Sequence, residues 1–115
     1  QEQVIREMEL NLISVIQNFL NVDYVMHDGL FLIMRALPGH KMDVHTDNHS
    51  EKCKYGIVFY YNDNYIGGEI YYPDKNISIK PQAGDMILHK SELKHGVNEV
   101  TEGTRYYSTA FLFDD

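Results

Sequence analysis

From Leu30 onward, turn-forming residues break the chain into short apolar runs at intervals of about eight to twelve residues, a rhythm that accommodates strands and little else. The runs Leu30 to Leu37, Tyr55 to Tyr61 and Glu69 to Tyr72 end at Pro38-Gly39, Asn62-Asp63-Asn64 and Pro73-Asp74. Further runs cover Ile77 to Ile79, Asp85 to Leu88, His95 to Val100 and Arg105 to Phe113, interrupted at Pro81 to Gly84 and at Thr101-Glu102-Gly103. Ahead of them, Ile5, Met8, Leu12, Ile16 and Phe19 recur at three- and four-residue steps, which predicts a helix over 4–20 with one buried stripe. One helix followed only by strands does not fit alternating βαβ units and predicts an antiparallel sandwich or barrel. With 115 residues, 43% of them hydrophobic, the chain has material for one core. A single domain over 1–115 is therefore expected, with the helix packed on a β core from about residue 22 to 113.

Charge and cysteine usage narrow the partners. Seventeen acidic residues against ten basic ones give a net charge of −7, a field that repels a phosphate backbone and argues against nucleic acid as a partner. The single cysteine, Cys53, cannot close an internal disulfide, which favours a reducing interior. Glu2, Arg6, Glu7 and Glu9 deny the N-terminal segment both the unbroken apolar stretch of a signal peptide and the length of a membrane span. The expectation is a soluble intracellular, cytoplasmic protein with no membrane partner, although an address upstream of Gln1 would not be seen.

His45-Thr46-Asp47 places an imidazole and a carboxylate at positions i and i+2 of an expected extended segment, where both side chains emerge on one face. His95 opens another expected strand and could deliver a third ligand across a sheet. Two imidazoles and one carboxylate on one side of a metal leave the opposite positions open, an arrangement that suits non-haem Fe(II) and O₂. An isolated pair of this kind is more often a surface hydrogen bond. His27, His40 and His49 fall in loop or strand-edge contexts and His89 ends the expected strand through Leu88; all four read as polar or half-buried residues rather than ligands, with His49 close enough in sequence to face a substrate mouth. Gly67-Gly68 lacks the following Gly-Lys-Ser/Thr of a phosphate loop, and Ser50, Ser78, Ser91 and Ser108 lack the strand-to-helix elbow of a nucleophile.

The C-terminal half adds Gly67-Gly68-Glu69, Ile79-Lys80-Pro81, Gly84 to Leu88, His95-Gly96-Val97 and Gly103-Thr104-Arg105-Tyr106, in that order. Together with the His45/Asp47 pair, this series closely resembles the prolyl 4-hydroxylase-like branch of the Fe(II)/2-oxoglutarate oxygenases, over roughly residues 30 to 113. The resemblance implies a mainly β fold, a double-stranded β-helix or jelly roll, with Fe(II) held by His45, Asp47 and His95 near one open end. It further implies that Arg105 clamps the distal carboxylate of 2-oxoglutarate, a role suited to a planar, permanently charged guanidinium. Tyr60 resembles a tyrosine that donates its hydroxyl to the same carboxylate, with ordinary core packing as the open alternative, and Thr109 could add a hydrogen bond from the Arg105 strand face. Ala36 and Met42 stand where many relatives carry aromatic residues, so cosubstrate contacts from that side are not expected.

The implied chemistry is a dioxygenase reaction. O₂ and 2-oxoglutarate yield succinate and CO₂ while a substrate C–H bond is hydroxylated, with His45, Asp47, His95 and Arg105 as the catalytic set and ascorbate as an accessory reductant to include. The expected substrate is a proline in a peptide or protein, the alternative a free amino acid or another small molecule. A jelly-roll binding module that has lost catalysis is the rival reading, and four intact residues argue against it. A cupin-type site would need a second histidine where Asp47 stands, and a halogenating relative a small residue there, so Asp47 points to hydroxylation.

Overall fold

The computed structural model describes residues 18–20, 25–26, 32–48 and 50–113. Its strands are β1 (Val25–Met26), β2 (Met34–Ala36), β3 (Met42–His45), β4 (Cys53–Tyr60), β5 (Ile66–Gly67), β6 (Ile70–Tyr72), β7 (Ile77–Ile79), β8 (Met86–Lys90), β9 (His95–Val97), β10 (Val100–Glu102) and β11 (Arg105–Phe113). One sheet runs β1-β11-β4-β8 with β2 also paired to β11, a second runs β3-β9-β6-β7, and β5 and β10 form a two-stranded ribbon. Every ladder is antiparallel, as the turn spacing predicts.

The β4–β11 ladder is the spine of the larger sheet, with Tyr60 opposite Tyr107, Val58 opposite Thr109 and Ile57 opposite Ala110. Because successive strand residues alternate faces, Ile57 and Leu112 meet on one side, where Leu20, Tyr55, Met86, Leu88 and Ala110 pack against them. Gly56, Val58 and Tyr60 turn the other way, and Val58 and Tyr60 share a cavity with Ile70 and Val97 of the second sheet. A second cluster, of Ala36, Tyr65, Val100 and Tyr107, closes the far end beside the β5–β10 ribbon. Ile57 is 1% exposed, so Ile57→Ala should lower unfolding free energy by about 2–5 kcal/mol. Urea denaturation checks this, and an unchanged midpoint would remove Ile57 from the core.

The helix expected over 4–20 lies outside the described residues except at 18–20, which are helical, and Leu20 there packs against the Ile57 and Leu112 cluster. One strand expectation needs correcting. Instead of a single strand from His95 to Val100 followed by a turn at Thr101-Glu102-Gly103, β9 stops at Val97 and β10 begins at Val100. Long-range bonds make this corner. The Asn98 N–H donates to the Glu69 carbonyl at 2.9 Å, the Val100 N–H to the His40 carbonyl at 3.0 Å, and the Gly39 N–H to the Val100 carbonyl at 2.8 Å. They carry Val100 out of the second sheet and into the Tyr65 cluster, leaving Gly103, at φ 77°, in the turn that follows. The strand expected from Leu30 begins, among the described residues, at Met34. No helix among them is long and apolar enough to cross a membrane.

Candidate active site

β3 and β9 pair with His45 directly opposite His95, and the two imidazole centroids lie 4.4 Å apart. β3 ends at His45, so Asp47 does not sit on the same strand face as its neighbour, contrary to the expected extended segment. It lies on a bend, its N–H donating to the Ser91 carbonyl at 2.8 Å, and from there it turns its carboxylate back to both histidines. Asp47 Oδ1 is 3.7 Å from His45 Nε2 and 3.5 Å from His95 Nε2. His45 Nδ1 lies 2.8 Å from the Asp43 carbonyl and His95 Nδ1 lies 2.9 Å from the Leu93 carbonyl. A carbonyl only accepts, so both Nδ1 atoms carry the proton and both Nε2 lone pairs face the Asp47 oxygen. Three acceptor atoms turned on one another repel unless a cation stands among them, and metal-binding histidines are oriented by such backbone bonds. The three ligand atoms lie within 4.8 Å of one another, and two nitrogens with one carboxylate oxygen fit an open-sided divalent iron site.

Burial acts to raise the Asp47 carboxyl, yet its hydrogen bond with His89 and its electrostatic interactions with His95, His89 and His45 hold it below the usual value, so it stays ionised. Burial likewise holds His95 below the ordinary imidazole value, keeping the nitrogen lone pair available. His89 is the member that sequence reasoning missed. It was expected to be an ordinary polar or half-buried residue, but it is buried, with Nε2 2.8 Å from Asp47 Oδ2. No local motif marks it. The available signal is strand alternation, since β8 sets His89 opposite Gly56 on β4, where no side chain intervenes. His27 and His49 lie outside the described residues; His40 is half-buried and its carbonyl serves the Val100 corner.

His45, Asp47 and His95 line a cavity of about 230 Å³ between the two sheets, together with Tyr60, Arg105 and Thr109. Arg105, Tyr107 and Thr109 share one face of β11 by alternation. Arg105 is 1% exposed, its guanidinium carbon 3.9 Å from the Tyr107 ring centroid and 5.9 Å from that of Tyr60. Gly67 and Gly68 take positive φ of 83° and 71°, and a Cβ at Gly68 would crowd Tyr65 and Val100 at 3.3 Å beside the Arg105 stem. Arg105 Nε and Nη2 and the Tyr60 hydroxyl are buried with no hydrogen-bond partner among the described residues. Leaving a cation and a hydroxyl unanswered in the interior is costly, and a carboxylate entering the cavity satisfies both. Burial pushes the Tyr60 phenol far above its usual value, so it remains a donor. Tyr65 adds another buried hydroxyl near this end, without a hydrogen-bond partner among the described residues, that the sequence reading did not single out. Lys80 is tied to the Tyr65 carbonyl and lies over its ring, while Lys94 is exposed. Met42 lines the cavity and Ala36 pairs with Arg105 on β2, and neither offers a polar group to a ligand.

Comparison with known proteins agrees with this geometry. The family model for the 2OG-Fe(II) oxygenase superfamily matches residues 31–113. A PKHD-type hydroxylase of Gluconobacter oxydans (strain 621H) is 38% identical over 88 residues, which cover 71% of this chain and 37% of that protein. One from Delftia acidovorans is 36% identical over 75 residues, covering 64% of this chain and 31% of that protein. The chain thus spans about a third of the length of the curated relatives it matches. Among solved structures, the viral collagen prolyl hydroxylase of Paramecium Bursaria Chlorella virus-1 superposes with a TM-score of 0.77 at 18% identity, covering 95% of this chain and 74% of that one. A Pseudomonas putida prolyl-4-hydroxylase gives 0.68 at 18% identity, covering 98% and 66%. These last two likenesses speak to the fold, a mainly β jelly roll of antiparallel sheets. The chain belongs to the 2OG-Fe(II) oxygenase superfamily, whose members use Fe(II), 2-oxoglutarate and O₂.

Proposed function

We propose that this chain is a single oxygenase domain that hydroxylates proline within an extended peptide or protein segment, with 2-oxoglutarate as cosubstrate. The observation that carries the reading is the pairing of unanswered donors, Arg105 Nε and Nη2 and the Tyr60 hydroxyl, with a His45, Asp47 and His95 cluster on the wall of one cavity. In this reading His45, Asp47 and His95 hold the iron, Arg105 and Tyr60 take the distal carboxylate of 2-oxoglutarate, and Thr109 contributes a hydrogen bond from the same strand face. The chemistry the iron supplies when bound is the oxidative decarboxylation of 2-oxoglutarate by O₂ to succinate and CO₂, with one oxygen atom passing to a substrate C–H bond. The protein groups orient the two carboxylate ends, keep the imidazole lone pairs and the Asp47 charge in place, and surround the reaction with the apolar walls of Ile70 and Val97. An anaerobic titration with Fe(II) and 2-oxoglutarate should raise the visible charge-transfer band of the chelate, and a band-free titration would favour a binding module without catalysis.

The peptide substrate rests on two supports. The solved relatives of like fold include prolyl hydroxylases, and a polyproline or strand-like segment is already restricted, so it costs less to order in an open jelly-roll mouth. The net charge of −7 would add a weak preference for basic flanks that salt reduces. Incubation with Fe(II), 2-oxoglutarate, ascorbate and a panel of proline-containing peptides should give a mass gain of one oxygen localised to proline. Oxidation of a free amino acid with every peptide untouched would sink the peptide reading and keep the oxygenase.

A further inference from the structure

Three imidazoles surround the Asp47 carboxylate, but they do not do the same thing. His45 and His95 offer Nε2 to Oδ1, across gaps of 3.7 and 3.5 Å that leave space for a cation. His89 instead makes direct contact with the other oxygen, Nε2 to Oδ2 at 2.8 Å, and its remaining nitrogen, Nδ1, lies 2.9 Å from the Tyr72 hydroxyl. Both ring nitrogens of His89 are therefore committed, so it is not a fourth ligand, and it stands outside the group whose ligand atoms converge. Asp47 is ionised and can only accept, so Nε2–H is the donor and Nδ1 accepts from Tyr72. Burial, with the Asp47 charge nearby, pushes the Tyr72 phenol to about 12, which keeps its proton in place for that bond.

The chain Tyr72–His89–Asp47 is largely buried, with Asp47 reaching the wall of the cavity. The His89 and Asp47 side chains are 3% and 9% exposed, and Tyr72 is 5% exposed. Gly56 is the floor beneath them. A Cβ built there would stand 2.1 Å from Asp47 Oδ2 and 2.8 Å from His89 Nε2, so the carboxylate and the imidazole meet only because β4 has no side chain at that position. The His89 ring centroid also lies 4.2 Å from that of His95, with the planes tilted by 41°, so His89 touches a second member of the cluster.

We propose that His89, braced by Tyr72 and seated over Gly56, is a positioning residue that commits Asp47 Oδ2 and so leaves Oδ1 as the oxygen offered to the metal. The proposal rests on the reading of His45, Asp47 and His95 as ligands. Without His89, Asp47 is free to rotate or to turn both oxygens to an ion, at the expense of the open positions that a cosubstrate and O₂ require.

The test titrates Co(II) alone into the wild-type chain and into His89→Phe, His89→Gln, Tyr72→Phe and Asp47→Ala, following affinity and the visible absorption of the bound ion, with circular dichroism to verify folding. Loss of a partner that orients a ligand weakens metal affinity by about 10- to 100-fold, and that loss is expected in His89→Phe together with altered absorption bands. His89→Gln, whose amide can still donate to Asp47, should fall between wild type and His89→Phe, and Tyr72→Phe should weaken binding by a smaller factor. A residue that merely fills the core would lower thermal stability and leave both Co(II) readouts unchanged. Wild-type affinity and bands in His89→Phe, alongside lost binding in Asp47→Ala, overturn the role of His89 alone. Tight binding in Asp47→Ala overturns the ligand assignment and the His89 role with it. Should His89→Phe fail to fold, Tyr72→Phe decides, and wild-type Co(II) affinity in that variant overturns the brace.

Discussion

Alanine at His45, Asp47 or His95 is expected to abolish iron-dependent succinate production in each case while leaving the two sheets assembled. An open metal site is held by few ligands, so loss of one removes a large share of the binding free energy. The cores are elsewhere, around Ile57 and Leu112 and around Tyr65 and Val100. The three variants should nevertheless differ in stability. His45 is only half-buried, and its removal leaves no buried group stranded. Asp47→Ala takes the acceptor from His89, a buried donor, and should lower stability by an additional amount of about 1–3 kcal/mol. Metal should raise the melting temperature of the wild-type chain and of none of the three variants, because the stabilisation follows binding to the folded state. Near wild-type succinate production by any one of them would remove that residue from the ligand set.

How much of this could be read in advance depends on how far apart the deciding residues lie. Prolines and glycines between apolar runs made most of the strands legible, and β11, nine residues long, kept its alternation well enough to place Arg105 and Thr109 on one face. His45 and Asp47 were visible as a local pair, although the reason they converge is the bend after β3 and the Ser91 carbonyl rather than strand periodicity. The corner between β9 and β10 was not legible, because the His40 carbonyl and the Gly39 N–H that draw Val100 aside lie some sixty residues earlier in the chain. His89 was missed for the same reason. Its partner Asp47 is 42 residues away, and only the β4–β8 register, with Gly56 between them, makes the contact possible. Tyr65 escaped notice because its segment carries no strand-length apolar run, yet it folds into the cluster beside Arg105.

The assignment of Arg105 as the cosubstrate anchor predicts two effects of opposite sign. Arg105→Ala removes one partner of a charge-assisted carboxylate pair, a loss of about 2–5 kcal/mol, which raises the 2-oxoglutarate requirement by roughly thirty-fold to several thousand-fold. Arg105→Lys should recover only part of this, because an ammonium keeps the charge but not the planar fork. Tyr60→Phe, which deletes one neutral donor, should cost about 0.5–1.5 kcal/mol. Without cosubstrate the balance reverses, since Arg105 Nε and Nη2 are buried with no partner among the described residues. An apolar side chain of similar length, Arg105→Met, relieves that desolvation while keeping contact with the Tyr107 ring, so the cosubstrate-free protein should melt at the same temperature as wild type or higher. Adding 2-oxoglutarate with a divalent metal should then stabilise the wild-type chain and leave Arg105→Met unmoved. An unchanged 2-oxoglutarate requirement in Arg105→Ala transfers the anchor to another residue. A marked loss of cosubstrate-free stability in Arg105→Met makes Arg105 a packing element of the β11 face and removes the argument from its unanswered nitrogens.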